Sequence, residues 1–160
     1  MRRAGILMPI TALPSPYGIG TLGSCARQFA EFLQEAGQSC WQILPICPTG
    51  YGDSPYQSSS SFAGNPYLID LDDLAAEGLL LPEEYRGLPW EPNPGRVSYE
   101  SLYRLRFDVL RKAVERIPAL CGGEMEGFLA EHAFWLEDYA LFMALKARYG
   151  GAPGRIGRLR

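Results

Sequence analysis

The first 45 residues constrain the fold most strongly. Gly5 to Pro9 reads GILMP, a short apolar run ended by a proline, and the turn-rich TALPSPYGIGTLG follows. Helical periodicity then starts near Ser24, where Ala26, Phe29, Ala30 and Leu33 keep the i, i+3, i+4, i+7 spacing of one buried stripe. Gly37 supplies the stop, because glycine accepts the left-handed conformation after a last helical turn. SCWQILPI, a run of β-favouring side chains halted at Pro45, resumes an extended path. Strand, loop, helix and strand in this order outline a parallel βαβ unit and an α/β fold. One such unit serves a closed eight-stranded barrel and an open doubly wound sheet equally. The intervening loop has neither GxGxxG nor GxxxxGK, so a dinucleotide or P-loop site has no chemical support.

Composition excludes several classes of partner. With 47% hydrophobic and 21% charged residues the chain has ordinary globular composition. A net charge of −3, from 18 acidic and 15 basic side chains, gives no broad positive field for nucleic acid. Arg2 and Arg3 precede an apolar stretch, but Pro9 and Pro14 break it, so it lacks the continuous core of an export signal. No run approaches the roughly 20 apolar residues that cross a bilayer, and a cytoplasmic protein with no membrane partner is expected. Cys25, Cys40, Cys47 and Cys121 form no CxxC pair and read as reduced thiols in or near the core. His132 is the only histidine and lies in a helical pattern, so no histidine-rich zinc site is expected. No cofactor is called for.

Residues 47–67, CPTGYGDSPYQSSSSFAGNPY, are too rich in Gly, Pro and Ser for a helix or central strand, yet carry four aromatic rings, which a simple linker seldom needs. Between Gly37 and Ile69 the only acidic or basic residue is Asp53, and from Gly5 to Ala26 there is none. Hydroxyls, amides and rings line these spans instead: Thr11, Ser15, Tyr17, Thr49, Tyr51, Ser54, Tyr56, Gln57, Ser58 and Asn65. Such a surface suits a neutral polyhydroxyl ligand, whereas phosphate calls for cations or a bare amide nest. Ordinary satisfied turn residues would also account for this composition. Asp53 suits a turn cap, a substrate hydroxyl or acid/base chemistry, although glycosyl transfer needs two carboxylates. Asp70, Asp72 and Asp73 follow an extended Leu68–Leu71 and suit a helix start.

Beyond the proline-rich PWEPNPG two longer helices are predicted. Tyr103, Phe107, Leu110, Val114 and Ile117 mark the buried side of the first, which Pro118 ends. Phe128, Trp135, Leu136, Tyr139, Phe142 and Met143 mark that of the second, from about Glu124 to Tyr149.

Three stretches, GILMPITALPSPYGIGTLG, WQILPICPTGYGDSPYQSSSSFAGNPYLIDLDDL and FWLEDYALFMALK, closely resemble in the same order the amino-terminal region of the amylomaltases, the bacterial 4-alpha-glucanotransferases. The resemblance covers roughly residues 5–150. It implies an incomplete (β/α)8 barrel: residues 1–75 begin the barrel and carry a long substrate loop, residues 76–150 form a helical inserted subdomain, and residues 151–160 are an atypical Gly/Arg tail. It implies transfer of α-1,4-glucan segments to the 4-hydroxyl of glucose or another glucan by a retaining double displacement, with maltooligosaccharides as partners. The family's catalytic carboxylates belong to motifs absent here. By motif, Tyr56 is the expected glucose contact; Asp53, Ser54 and Ser58 share its loop, as sugar contacts or scaffolding alike, and Tyr51 joins an additional glucan-contact surface. Trp41 is expected in barrel packing.

Ser59 and Ser61 depart from the family pattern, where an aromatic residue and an alanine are expected. After ARYGGAP the chain reads GRIGRLR instead of a Trp-containing continuation. A truncated, split or frame-altered product that does not catalyse is therefore expected. A non-catalytic glucan-binding fragment, or one part of a split enzyme with a complementing carboxyl-terminal fragment, is the alternative. An exposed apolar face is expected in either case.

Overall fold

The computed structural model describes residues 3–50, 52–93 and 95–149. The expected Gly/Arg tail lies outside them. The chain divides into two units, the first running through Leu120 and the second starting at Cys121.

In the first unit, strand β1 (Gly5–Leu7) leads through the turn-rich segment into helix α1 (Ser24–Glu35), and the chain returns as strand β2 (Cys40–Gln42). The strands are parallel, with Gly5 opposite Cys40, Ile6 opposite Trp41 and Leu7 opposite Gln42. The predicted βαβ unit is therefore present, with a crossover of the length parallel pairing requires. Gly37 adopts φ 69° just past α1, as a glycine helix stop should. Of the predicted α1 stripe, Ala26 and Leu33 are buried and Phe29 half-buried, whereas Ala30 is exposed. Cys40 is exposed as well, against the near-core expectation, because the sheet is uncovered where it sits.

Two apolar clusters hold this unit. Ile10, Leu13, Ala26 and Leu68 form the smaller, with Met8, Phe29 and Trp41 packed against it. Trp41 meets Phe29 edge to face at 4.9 Å and its indole donates to the Met8 carbonyl at 2.8 Å, a packing role as expected. The larger cluster centres on Tyr17, Leu71, Leu80, Tyr85, Trp90 and Leu102. Leu68–Leu71 is not simply extended. Asn65 caps a short 3-10 turn (Pro66–Leu68), and Asp70 caps helix α2 (Leu71–Ala76), accepting from the amides of Asp72 and Asp73 at 3.0 Å.

Helix α3 (Tyr99–Arg148) leaves helical angles at Cys121, with φ −136° and ψ 26°. The break thus falls three residues after Pro118, just ahead of Gly122 and Gly123, where removal of an amide donor meets two poor helix formers. The buried side of its first part is also shifted by one residue from the predicted one. Leu102, Arg106, Val109 and Ala113 are buried, while Tyr103 is 73% exposed and Val114 is exposed too. Phe107, Leu110 and Ile117 lie at the cluster's edge. Treating Arg106 as a solvent residue turns the stripe by about 100°, one residue's rotation on a 3.6-residue helix.

In the second unit Trp135, Leu136, Tyr139 and Met143 are half-buried, whereas Phe128 and Phe142 are exposed. His132 lies between rings, 4.3 Å from Phe128 and 5.9 Å from Trp135. No described helix is long and apolar enough to cross a membrane.

Glu84 ties α3 to the segment after α2. Arg116 donates to both its oxygens at 2.8 and 2.9 Å, and the Leu81 amide donates at 2.9 Å. The Arg116 hydrogen bonds, then the Leu81 amide, hold its carboxyl at about 2 against an ordinary 4.5. A depressed carboxyl stabilises the fold above its unfolded value and loses that contribution as pH falls through its folded one. A Glu84→Gln chain is expected to unfold at lower urea than the parent at pH 7, and the two midpoints to converge as pH falls from 4.5 toward 2. A constant gap between those midpoints would remove Glu84 as the acid-sensitive group.

Candidate functional site: the neutral loop before α2

The loop of residues 47–65 is organised by its own small side chains. The Asp53 amide donates to Gly50 O at 3.1 Å, and the Gln57 amide to Ser54 O at 3.2 Å. Ser60 Oγ accepts from the amides of Phe62 and Ala63 at 3.2 and 3.1 Å. At its exit the Asn65 side chain caps the Tyr67 amide, and the Asn65 amide donates to Ile46 O at 2.8 Å, closing the loop on itself. Short hydroxyl and amide side chains suit such local bonds.

Tyr56 stands on this frame with 73% of its surface exposed, and its hydroxyl has no partner among the described residues. Ser54 Oγ accepts from the Tyr56 amide at 3.4 Å and so shapes the turn that presents the ring. Ser58 is exposed, but its hydroxyl donates to Ser60 O at 2.8 Å and accepts the Ser60 amide at 3.2 Å. Its oxygen is largely committed to the loop. Tyr51 lies outside the described residues. Of the other expected ligand-facing groups, Tyr17 is buried and its hydroxyl is held by Asp72 at 2.9 Å, so it faces the core. Asn65 is spent as a cap. Both corrections have one cause: a polar tip on a loop is as readily recruited by a neighbouring backbone or carboxylate as by a ligand.

Asp53 adopts φ 54°, a left-handed conformation that aspartate tolerates better than most residues. Burial raises its carboxyl above the ordinary value. Burial, then the Asp53 charge, pushes the Tyr67 phenol up to about 12, and the same two causes raise Tyr99. The Tyr67 ring lies 6.2 Å from Tyr99 and 5.7 Å from Phe107. The loop thus presents a ring and hydroxyls outward, and Asp53 is its one carboxylate. That arrangement can hold a neutral polyol, with a sugar face against Tyr56 and hydroxyls toward the loop's oxygens. Asp53 is the loop's only acidic residue, so the loop by itself does not supply the pair of carboxylates about 5 Å apart that retaining glycosyl transfer requires.

Comparison with known proteins decides the family. The model of the 4-alpha-glucanotransferase family (glycoside hydrolase 77) matches residues 8–155. The chain belongs to this family. The 4-alpha-glucanotransferase of Thermus thermophilus is 51% identical over 156 residues, which are 95% of this chain and 30% of that protein. That of Aquifex aeolicus (strain VF5) is 45% identical over 152 residues, 94% of this chain and 30% of that protein. The structure of the amylomaltase from Streptococcus agalactiae in complex with acarbose superposes with a TM-score of 0.89 at 42% identity, covering 94% of this chain and 31% of that one. The chain thus spans about 30% of the length of the 4-alpha-glucanotransferases it matches.

The pattern did not single out Asp72, which joins Tyr17, Tyr85 and Arg86, or the buried Arg106. An Asp-Asp pair at a helix start does not reveal which carboxylate meets the phenols of Tyr17 and Tyr85.

Proposed function

We propose that this chain supplies the opening βα unit and the glucan-contacting loop of a (β/α)8-barrel 4-alpha-glucanotransferase, and that it does not catalyse by itself. The exposed Tyr56 ring on a self-bonded, nearly uncharged loop carries the proposal. An α-1,4-glucan offers apolar ring faces and neutral hydroxyls, which match that surface. The family relative solved with acarbose supports a saccharide ligand. In the reaction the carboxylates that attack and protonate the glycosidic bond come from outside these residues, while Tyr56 and Tyr51 contact the sugar and Asp53, Ser54 and Ser58 shape the loop that presents these rings.

The purified chain is expected to bind maltoheptaose saturably and to leave maltotriose unchanged. Glucose and longer oligomers appearing from maltotriose would overturn the non-catalytic half. Tyr56→Ala is expected to weaken maltoheptaose binding about tenfold, about 1.4 kcal/mol, without moving the thermal midpoint, because the side chain packs on little. Calorimetric titration of the two proteins checks this, and equal affinities would remove Tyr56 from the site.

The uncovered sheet favours a second reading, in which a complementing chain carries the rest of the barrel. Ile6 and Leu7 of β1 are 40% and 58% exposed, whereas parallel sheets normally have both faces covered. Coexpression with the remaining segment of a full-length relative is expected to yield a soluble, active complex. Inactive, separately eluting chains would sink that reading.

A further inference from the structure

Arg106 is the least expected residue of the core. It lies on the buried side of α3 with no exposed surface. Burial lowers its guanidinium to about 10 despite the favourable charge of Asp70. Nη2 donates to the Tyr67 carbonyl at 3.1 Å and to the Ile69 carbonyl, while Nε and Nη1 have no partner in the described structure. No carboxylate pairs with it directly. Burying a cation in this way is a poor means of gaining stability, since an apolar residue of similar volume commonly does better.

The two carbonyls explain what the side chain does. They belong to residues i and i+2 of the segment that closes the candidate loop, and the carbonyl between them, Leu68 O, turns the other way to accept the Leu22 amide at 2.9 Å. The exit is therefore held from two sides, by the turn before α1 and by α3. Tyr67 is the residue whose ring packs on Tyr99 and Phe107 and whose phenol feels the Asp53 charge.

We infer that Arg106 is the positioning residue of the glucan loop: its Nη2 donates to the carbonyls of both Tyr67 and Ile69 and so sets where Tyr67 and the loop exit behind Tyr56 stand. Lysine carries the charge and several donors on one nitrogen, but lacks the rigid plane that places Nη2 between the two carbonyls. The residue touches no ligand and acts only through the loop exit.

Amide hydrogen exchange on the 160-residue chain tests this without any ligand. In Arg106→Met the amides of Leu22, Asn65 and Leu68 are expected to exchange about tenfold faster or more relative to those of Ala36 and Gln38 at the end of α1, which report the rest of the unit. Arg106→Lys is expected to fall between parent and Met, and it carries the comparison alone if the Met variant does not fold. Unchanged exchange at the three exit amides, or acceleration equal to that at Ala36 and Gln38, would overturn the clamp. A second arm, maltoheptaose affinity, rests on the function proposed above. Both variants are expected to bind more weakly than the parent, with Lys partly restoring what Met loses. Faster exit exchange in the variants of a parent that itself binds no maltoheptaose would sink the glucan reading and keep the clamp. A binding parent matched in affinity and exchange by both variants would do the reverse.

Discussion

A Gly20→Ala chain is expected to lose about 3 kcal/mol of folding stability, the effect of a single methyl group. A Cβ at this position would lie 2.0 Å from Ile10 O, 2.7 Å from Leu13 O and 2.8 Å from Leu13 N. All three are backbone atoms, so no rotamer change relieves the contact. The Gly20 amide also donates to Thr11 O at 3.2 Å, joining the two ends of the turn-rich segment. Separating them pulls Ile10 and Leu13 away from Ala26 and Leu68 and opens the smaller cluster. Urea unfolding followed by near-UV dichroism measures the loss, with Gly64→Ala as the control, since a Cβ there meets nothing within 4 Å. Equal midpoints for both variants would show that the turn yields easily.

Asp72→Ala is expected to be nearly as damaging, by about 2 kcal/mol. The hydroxyls of Tyr17 and Tyr85 lose their acceptor at about 1 kcal/mol each, the low end of the range, since solvent reaches the half-exposed carboxylate. Tyr17 donates to both carboxylate oxygens at 2.9 Å, Tyr85 to Oδ1 at 2.7 Å, and Arg86 to Oδ1 at 2.9 Å. Burial alone would raise the Asp72 carboxyl, but the hydrogen bonds of Tyr85, Arg86 and Tyr17 together outweigh it and hold it below the ordinary value. Its contribution is accordingly present at neutral pH and fades in acid. The neighbouring Asp73→Ala breaks only an exposed pair with Arg27 and is expected to change stability by less than about 1 kcal/mol. Thermal midpoints of the two variants at pH 7 check the contrast, and similar losses would mean that the phenols find water or another acceptor.

These residues show where a sequence pattern stops informing. The βαβ unit, the start of α1 at Ser24 and its stop at Gly37 were legible, because local backbone preference and apolar spacing act within a few residues. The neutral loop was legible as a candidate site through composition and family motif. Which of its hydroxyls remain free was not: Ser58 and Asn65 bond the loop's own backbone, and Tyr17 turns to a carboxylate 55 residues away in the chain. The buried side of α3 was missed by one position because charge was taken to mean solvent, whereas Arg106 is drawn inward by two carbonyls more than 35 residues earlier.

The sequence by itself determined the family, the order of strand and helix, and the near absence of charge around the loop, since each depends on neighbouring residues or on motifs read in line. Tertiary structure alone decided which polar groups are spent, which face of α3 is buried, and that the Tyr67 ring packs on Tyr99 and Phe107. Those outcomes depend on partners far apart in the chain, and a buried polar group takes whichever partner folding brings within about 3 Å.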